Sequence, residues 1–353
     1  MRRIYLVRHA HPGFPLGARV CLGQTDLPLG AFGRMQAYLL GRELSRQKPL
    51  SCFSSPLIRC RQTAEAMQQP YRIEDDLAEQ NMGTWDGLDF ETIRRKDPAL
   101  YQARETDPLL VPPGAETLAQ VQERVLPALQ RCVDGCSGDV AVFTHASAIQ
   151  AILASVTGMP LAQSWEFRLP YVAFSILAYG EDFKCITLKE SPHPEMTPEL
   201  AENLLLAAAP GKQVEAHSRA VAEKAMEIAD LLPVALDRNA LCCAALLHDV
   251  ARTEKNHASV GADWINALGY QKEAEIIRQH HDLESDAPEE AAVLYISDKC
   301  IQEDHPVSIE ERFAHSALRC NTEEARGAHA RRLETARTIQ QRINSLCGQP
   351  IIP

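Results

Sequence analysis

Apolar positions follow two rhythms in the first half of the chain and one in the second. Short β-branched runs predict strands at residues 4–7, 51–54, 140–144, 173–178 and 184–188. Helical spacing covers residues 33–44 and 117–133, where Leu118, Val121, Val125 and Leu129 recur on one face. Strands alternating with helices predict an α/β layered fold. Near residue 190 the stretch KESPHPEMTPEL sets three prolines in a polar context, the mark of a linker. Beyond it Val214, His217, Val221, Ala225 and Ile228 share a helix face, and no run reads as a strand. The expected division is an α/β domain over residues 1–190, a linker and leading helix over 191–209, and an all-helical domain over 210–353.

Composition narrows the classes. With 353 residues the chain can bury two cores, and 45% hydrophobic with 24% charged residues suits a soluble globular protein. A net charge of −11 disfavours nonspecific binding to nucleic acid or to an anionic membrane, yet leaves room for local arginines that hold a phosphate. No apolar run is long enough to span a bilayer and no signal-peptide core is present, so a cytoplasmic protein is expected. Eleven cysteines, odd in number and without a CxxC pair, read as reduced thiols.

The first half places cations where strands end. RRIYLVRHAHPG puts Arg8 and His9 after an apolar strand, and VFTHASAIQ repeats the pattern with His145. SSPLIRCRQTA places Arg59 and Arg61 in a first helical turn, and LAEQNMGTWDG carries Glu79 in a Gly-containing loop. In an open α/β sheet, ligands bind beyond the carboxyl ends of the strands, where helix N-termini also favour anions. Guanidinium groups match phosphate oxygens, a neutral imidazole can attack phosphorus, and a carboxylic acid can protonate a leaving alkoxide.

These four motifs, with CLGQTDLPL after the first, resemble the histidine phosphatase (phosphoglycerate mutase-like) superfamily over residues 1–190. The resemblance implies a three-layer α/β domain. It implies His9 as the phosphorylated nucleophile, Glu79 as the proton donor, and Arg8, Arg59 and His145 as the phosphate pocket. Arg59 is preferred to Arg61, which is expected on the outer helix face. Ala10 and Ala146-Ser147 stand where the family usually has glycines. The spacing from Glu79 to His145 is similar to small-molecule phosphatases, including the α-ribazole-5′-phosphate branch, rather than to mutases, which stay the alternative. No cofactor is implied for this half.

The helical half carries EAHSRAV, LLHDVARTEKNHASVGA, IIRQHHDLES and VLYISDKCI. Ionisable residues on apolar faces of separate helices need partners, and one cation satisfies several at once. The set resembles the HD superfamily of metal-dependent phosphohydrolases over about residues 210–302. The resemblance implies His217, His248, Asp249 and Asp298 as core ligands. It further implies His257 and His280 as ligands of a second ion bridged by Asp249, with His281 as the alternative to His280. Imidazole and carboxylate ligands suit one or two divalent ions, iron or manganese foremost. Arg252 and Lys255 stand as candidates either for substrate phosphates or for solvent. The C-terminal arginines Arg326, Arg331, Arg332, Arg337 and Arg342 read as a solvated helix face. The expected protein is a bifunctional phosphohydrolase acting on small phosphorylated substrates, nucleotides among them. The alternative is a phosphatase regulated by a nucleotide-sensing HD module.

Overall fold

The computed structural model describes residues 1–47, 50–284, 287–318 and 320–352. The chain divides into two compact units, Met1–His193 and Pro194–Pro353.

The first unit is built on a six-stranded mixed sheet. Its elements in chain order are β1 (Arg2–Arg8), α1 (Ala31–Ser45), β2 (Ser51–Ser54), α2 (Ile58–Glu65), β3 (Tyr71–Ile73), α3 (Phe90–Lys96), α4 (Pro98–Arg104), α5 (Leu118–Asp134), β4 (Val140–Thr144), α6 (Ala146–Thr157), β5 (Phe174–Tyr179) and β6 (Phe183–Glu190). The strand order is β3-β2-β4-β1-β5-β6. β1, β2, β3 and β4 pair in parallel, while β5 runs antiparallel to β1 and to β6. All five predicted strands are present. β3 escaped prediction because it is three residues long and has little apolar pattern.

Side-chain alternation along β1 explains the layers. Ile4 and Leu6 join the core formed with Val121, Val125 and Leu129 of α5 and Ile149 and Ile152 of α6. Tyr5 and Val7 face the opposite core, with Ala37 and Leu40 of α1 and Cys60 and Ala64 of α2. β1 therefore leads to a helix on one face, and its neighbour β4 leads to a helix on the other. That divergence opens a crevice at their carboxyl ends, where such sheets bind ligands. Close packing holds its floor. A Cβ on Gly33 of α1 would lie 2.0 Å from the carbonyl oxygen of His11, so only glycine lets α1 approach this backbone.

The second unit contains α7 (Pro198–Ala208), α8 (Lys212–Leu231), α9 (Arg238–Leu247), α10 (His257–Ala267), α11 (Gln271–Arg278), α12 (Glu289–Lys299), α13 (Ile309–Ala317) and α14 (Glu323–Cys347). Every residue of α12 from Ala291 to Lys299 is buried, so Asp298 and Lys299 lie inside the bundle. The expectation of no strand is corrected by a minimal ladder of β7 (Ile301–Gln302) and β8 (His305–Pro306). Two residues a side give too little pattern to read from sequence. Its turn residue Glu303 has a left-handed φ of 59° and presents its carbonyl to His217. The C-terminal arginines are less idle than expected: Arg332, Arg337 and Arg342 pair with Asp282, Glu310 and Glu289 on other segments. Among the described residues no helix is long and apolar enough to cross a membrane, and all eleven cysteines are unpaired.

Replacing Gly33 with alanine is expected to lower stability by about 1–3 kcal/mol, because backbone must shift to admit the methyl group. Thermal unfolding of the full chain reads this; an unchanged first-unit transition would show that the approach is not tight.

Candidate active site and candidate metal centre

The crevice of the first unit gathers the predicted residues. The His9 backbone N–H continues the β1–β4 ladder to the Thr144 carbonyl at 3.0 Å, and His145 follows Thr144 directly. The two imidazoles meet edge to face with centroids 5.1 Å apart. The Nδ1–H of His9 donates to the Ala10 carbonyl at 2.7 Å, which leaves the lone pair on Nε2. Burial, Arg59 and Arg8 together hold His9 well below the usual histidine range. The same causes, burial first, hold His145 neutral. Ser55 Oγ accepts from Leu57 N–H at 3.3 Å and lies 2.7 Å from His145 Nε2, within hydrogen-bond distance.

Arg59 is fully buried and Arg61 is exposed, as expected of the pair. Arg59 donates to the carbonyls of Gly23 at 2.6 Å and Thr25 at 3.0 Å, and its Nε–H lies 3.3 Å from His9 Nε2. Arg8 stacks on Tyr171, with its guanidinium carbon 4.1 Å from the ring centroid, and its buried Nε has no hydrogen-bond partner. Burial pushes the Glu79 carboxyl up from its ordinary range, against the pull of Gln80 N–H and the two arginines. Glu79 accepts from Gln80 N–H at 2.9 Å and from Ser147 N–H at 3.2 Å. Ser147 thus binds the Glu79 carboxyl through its backbone N–H. Arg8, His9 and Glu79 line one cavity of about 690 Å³.

Three residues that shape this site escaped sequence reasoning. Arg124 donates to the carbonyls of Asp76, Ala78 and Glu79 and pairs with Glu116, fixing the Glu79 loop. Asp86 accepts from the N–H groups of Gly23, Gln24 and Thr25 and so aims the carbonyls that hold Arg59. Tyr171 packs on both Arg8 and His9. All three act on backbone or rings far away in sequence, so no local motif announces them.

The second unit brings its predicted ligands together around two ends. At one end His217 Nε2 is 3.1 Å from Asp298 Oδ1, and His248 Nε2 is 3.8 Å from the same oxygen. At the other, His257 Nε2 and His280 Nε2 lie 3.1 and 3.7 Å from Asp249 Oδ1, whose partner oxygen Oδ2 is 3.8 Å from His248 Nε2. Asp249 therefore faces both ends. His281 Nε2 sits 2.8 Å from His257 Nε2, so His281 stands at the site beside His280. Asn256, in the left-handed region, starts α10 and sets the direction of His257.

The donor set fits a divalent ion on a specific observation. The Nδ1–H groups of His217, His248 and His280 each donate to a backbone carbonyl, from Glu303, Ala245 and Ile277. That turns three Nε2 lone pairs inward, the tautomer that metal-binding histidines need. His248 Nε2, His280 Nε2 and Asp249 Oδ1 are buried without a hydrogen-bond partner. Burial drives His280 down to about 3, so it is a neutral donor. Although burial opposes ionisation of Asp298, Lys299, His217 and His248 hold it well below the carboxylate range. Lys299, missed in the sequence, donates to Asp298 Oδ2 at 2.6 Å and to the His280 carbonyl at 3.1 Å. Arg252 reaches His257 Nε2 at 3.0 Å, while Lys255 is exposed.

Comparison with known proteins agrees with both units. Residues 4–190 match the histidine phosphatase superfamily (branch 1). The chain belongs to that superfamily. In the same chain residues 214–302 match the HD domain. The histidine phosphatase is 30% identical over 173 residues to glucosyl-3-phosphoglycerate phosphatase of Mycolicibacterium vanbaalenii, covering 46% of this chain and 76% of that protein. It is 31% identical over 196 residues to phosphoserine phosphatase 1 of Hydrogenobacter thermophilus, covering 54% of this chain and 92% of that one. Among solved structures it resembles a mycobacterial glucosyl-3-phosphoglycerate phosphatase complexed with VO3, with a TM-score of 0.50 and 25% identity, over 54% of this chain and 100% of that chain. The protein is thus a phosphoric ester hydrolase by family, joined to a domain of a class that binds divalent metals.

Proposed function

We propose that this chain is a two-headed phosphohydrolase, with a metal-independent phosphomonoesterase in its first unit and a metal-dependent phosphohydrolase in its second. The observation that supports the first activity is a pair of neutral imidazoles set between Arg8 and Arg59, beside a carboxyl whose pKa is raised.

In this reading the His9 Nε2 lone pair attacks phosphorus. A P–N bond forms as the bond to the leaving oxygen breaks, and the Glu79 proton passes to that alkoxide. Glu79, now a carboxylate, takes a proton from water as the water oxygen attacks phosphorus. The P–N bond breaks, phosphate leaves, and His9 is restored. Arg8, Arg59 and His145 hold the equatorial oxygens as negative charge spreads over them.

In the second unit His217, His248, Asp249 and Asp298, with His257 and His280, would hold one or two divalent ions, iron or manganese by ligand type. Bound there, such an ion supplies Lewis acidity toward a phosphoryl oxygen. The protein's own part is to orient. Carbonyls fix the imidazole tautomers, Lys299 fixes Asp298, and Arg252 offers a cation at the rim. The substrate class in this reading is a nucleotide or another small phosphoester, the kind of oxygen-rich anion a divalent ion binds.

Phosphate release from a phosphoester and nucleotide panel, with and without a strong chelator, separates the two activities. The chelator-resistant part is expected to vanish in His9→Asn. The chelator-sensitive part is expected to return with manganese and to vanish in His248→Gln, together with bound manganese. Nucleotide binding without turnover would instead make the second unit a sensor. No release under either condition would end the two-enzyme reading.

The pH profile of the chelator-resistant activity follows from the two shifts. His9 must be neutral and is held below its ordinary 6.5, so the acid limb falls below pH 6.5. Glu79 must be protonated and is held above its ordinary 4.5, so the alkaline limb is set by its loss of a proton above that value. Glu79→Gln is expected to lower kcat by about 10²–10⁴-fold and to remove the alkaline limb. An unchanged alkaline limb in that variant would assign it to another group.

A further inference from the structure

Just ahead of β5, Val172 has a left-handed φ of 58°. A β-branched residue rarely adopts that conformation, and such outliers gather at functional sites. Ala173 N–H donates to the Pro170 carbonyl at 3.2 Å, closing a β-turn with Tyr171 and Val172 at its centre. Where the second central residue has a positive φ, glycine or asparagine is the usual occupant. Here packing holds valine instead, for Val172 is buried in the core with Val7, Phe143 and Phe174. Two backbone hydrogen bonds tie the turn to the end of β1. Val172 N–H donates to the His9 carbonyl at 3.4 Å, and Arg8 N–H donates to the Ala173 carbonyl at 3.0 Å. The other central residue, Tyr171, is thereby set against Arg8 and His9.

The Tyr171 ring is wedged in place. His11 packs on it with centroids 5.0 Å apart, and His11 is itself backed by Phe14 at 4.6 Å and Phe32 at 5.5 Å. The Arg8 guanidinium carbon lies 4.1 Å from the Tyr171 centroid, and the His9 ring 5.4 Å from it. Arg8 is otherwise lightly held. One Nη donates to the Leu169 carbonyl, and the buried Nε has no partner. Among the described residues no carboxylate lies within ion-pair distance of Arg8, although Glu79 faces the same cavity. Arg124, by contrast, is fixed by Glu116. The difference has a chemical reason. A carboxylate would hold Arg8 firmly, but it would occupy the donors and cancel the charge that a phosphate needs. An aromatic face attracts the cation and leaves its N–H edge free.

We propose that Tyr171 is a positioning residue, whose ring holds the Arg8 guanidinium by cation–π attraction while the strained turn from Pro170 to Ala173 fixes the ring. This rests on the phosphatase reading of the first unit, in which Arg8 meets the phosphoryl oxygens. Tyr171 acts through Arg8, and its hydroxyl takes no part. The hold on phosphate therefore follows the negative charge on the face of the ring, not the presence of the phenol.

The test uses the full chain with chelator present, p-nitrophenyl phosphate as substrate and inorganic phosphate as competitive inhibitor. Tyr171→Phe keeps the ring and is expected to leave the phosphate inhibition constant within about threefold. Pentafluorophenylalanine in place of Tyr171 keeps the shape of that ring but strips negative charge from its face. It is expected to raise the inhibition constant about fivefold or more over Tyr171→Phe, with the acid limb of the pH profile unmoved. Tyr171→Leu, which removes the face altogether, is expected to act in the same direction; the fluorinated ring decides the matter if that variant fails to fold. Equal inhibition constants for the phenyl and fluorinated rings would show that the ring only fills space, and would overturn the proposal. So would a loss of about tenfold or more from Tyr171→Phe alone, which would put the hydroxyl to work. A fluorination effect that arrives with a shifted acid limb would place the ring's action on His9 and overturn it too. No release from p-nitrophenyl phosphate by the unaltered protein rejects the phosphatase reading and this proposal with it.

Discussion

The His9 lone pair sits in a crevice that is positive before any substrate enters. Arg59 and Arg8 both disfavour a proton on His9, burial disfavours it more, and the Ala10 carbonyl fixes which nitrogen stays bare. The rest of the first unit serves that arrangement. The divergence of α1 and α6 from β1 and β4 makes the crevice, and Gly33 lets α1 close its floor. Asp86 holds the loop whose carbonyls hold Arg59, and Arg124 holds the loop that carries Glu79. A cationic, partly unsatisfied pocket is costly to build and is relieved by an anion, which is why it reads as a binding site rather than as structure.

The second unit solves a related problem with the opposite sign. Carbonyls at Ala245, Ile277 and Glu303 fix the orientation of three imidazoles with Nε2 facing inward, burial lowers the pKa of His248 and His280, and two aspartates stay ionised among them. Removing Asp249 Oδ1 and two imidazole nitrogens from water without hydrogen bonds would be unfavourable in an apo core. A divalent ion is the partner such a set accepts, and Asp249, with an oxygen toward each end, leaves room for two.

Much of this was legible in the sequence, because the chemistry lies at strand and helix ends that have local signatures. Ile4 to Val7 announces a strand, and Arg8-His9 follows it at once; His145 repeats the form after Val140 to Thr144. His248-Asp249 likewise ends an apolar helix. The groups that were not legible act through tertiary contact. Arg124 bonds carbonyls more than forty residues away. Lys299 was not legible either, because its burial comes from the packing of α12, which is buried from Ala291 to Lys299. β3 and the β7–β8 ladder are too short for periodicity to separate them from loop.

The central claim is that His9 itself receives the phosphoryl group. Rapid acid-free quench during turnover of a labile phosphomonoester, followed by peptide mass analysis, tests it directly. The account predicts an added phosphoryl group on the peptide containing His9, base-stable and acid-labile, that accumulates when Glu79 is replaced by glutamine. Turnover with an unmodified His9 peptide under the same quench would contradict it and assign the hydrolysis to direct attack by water.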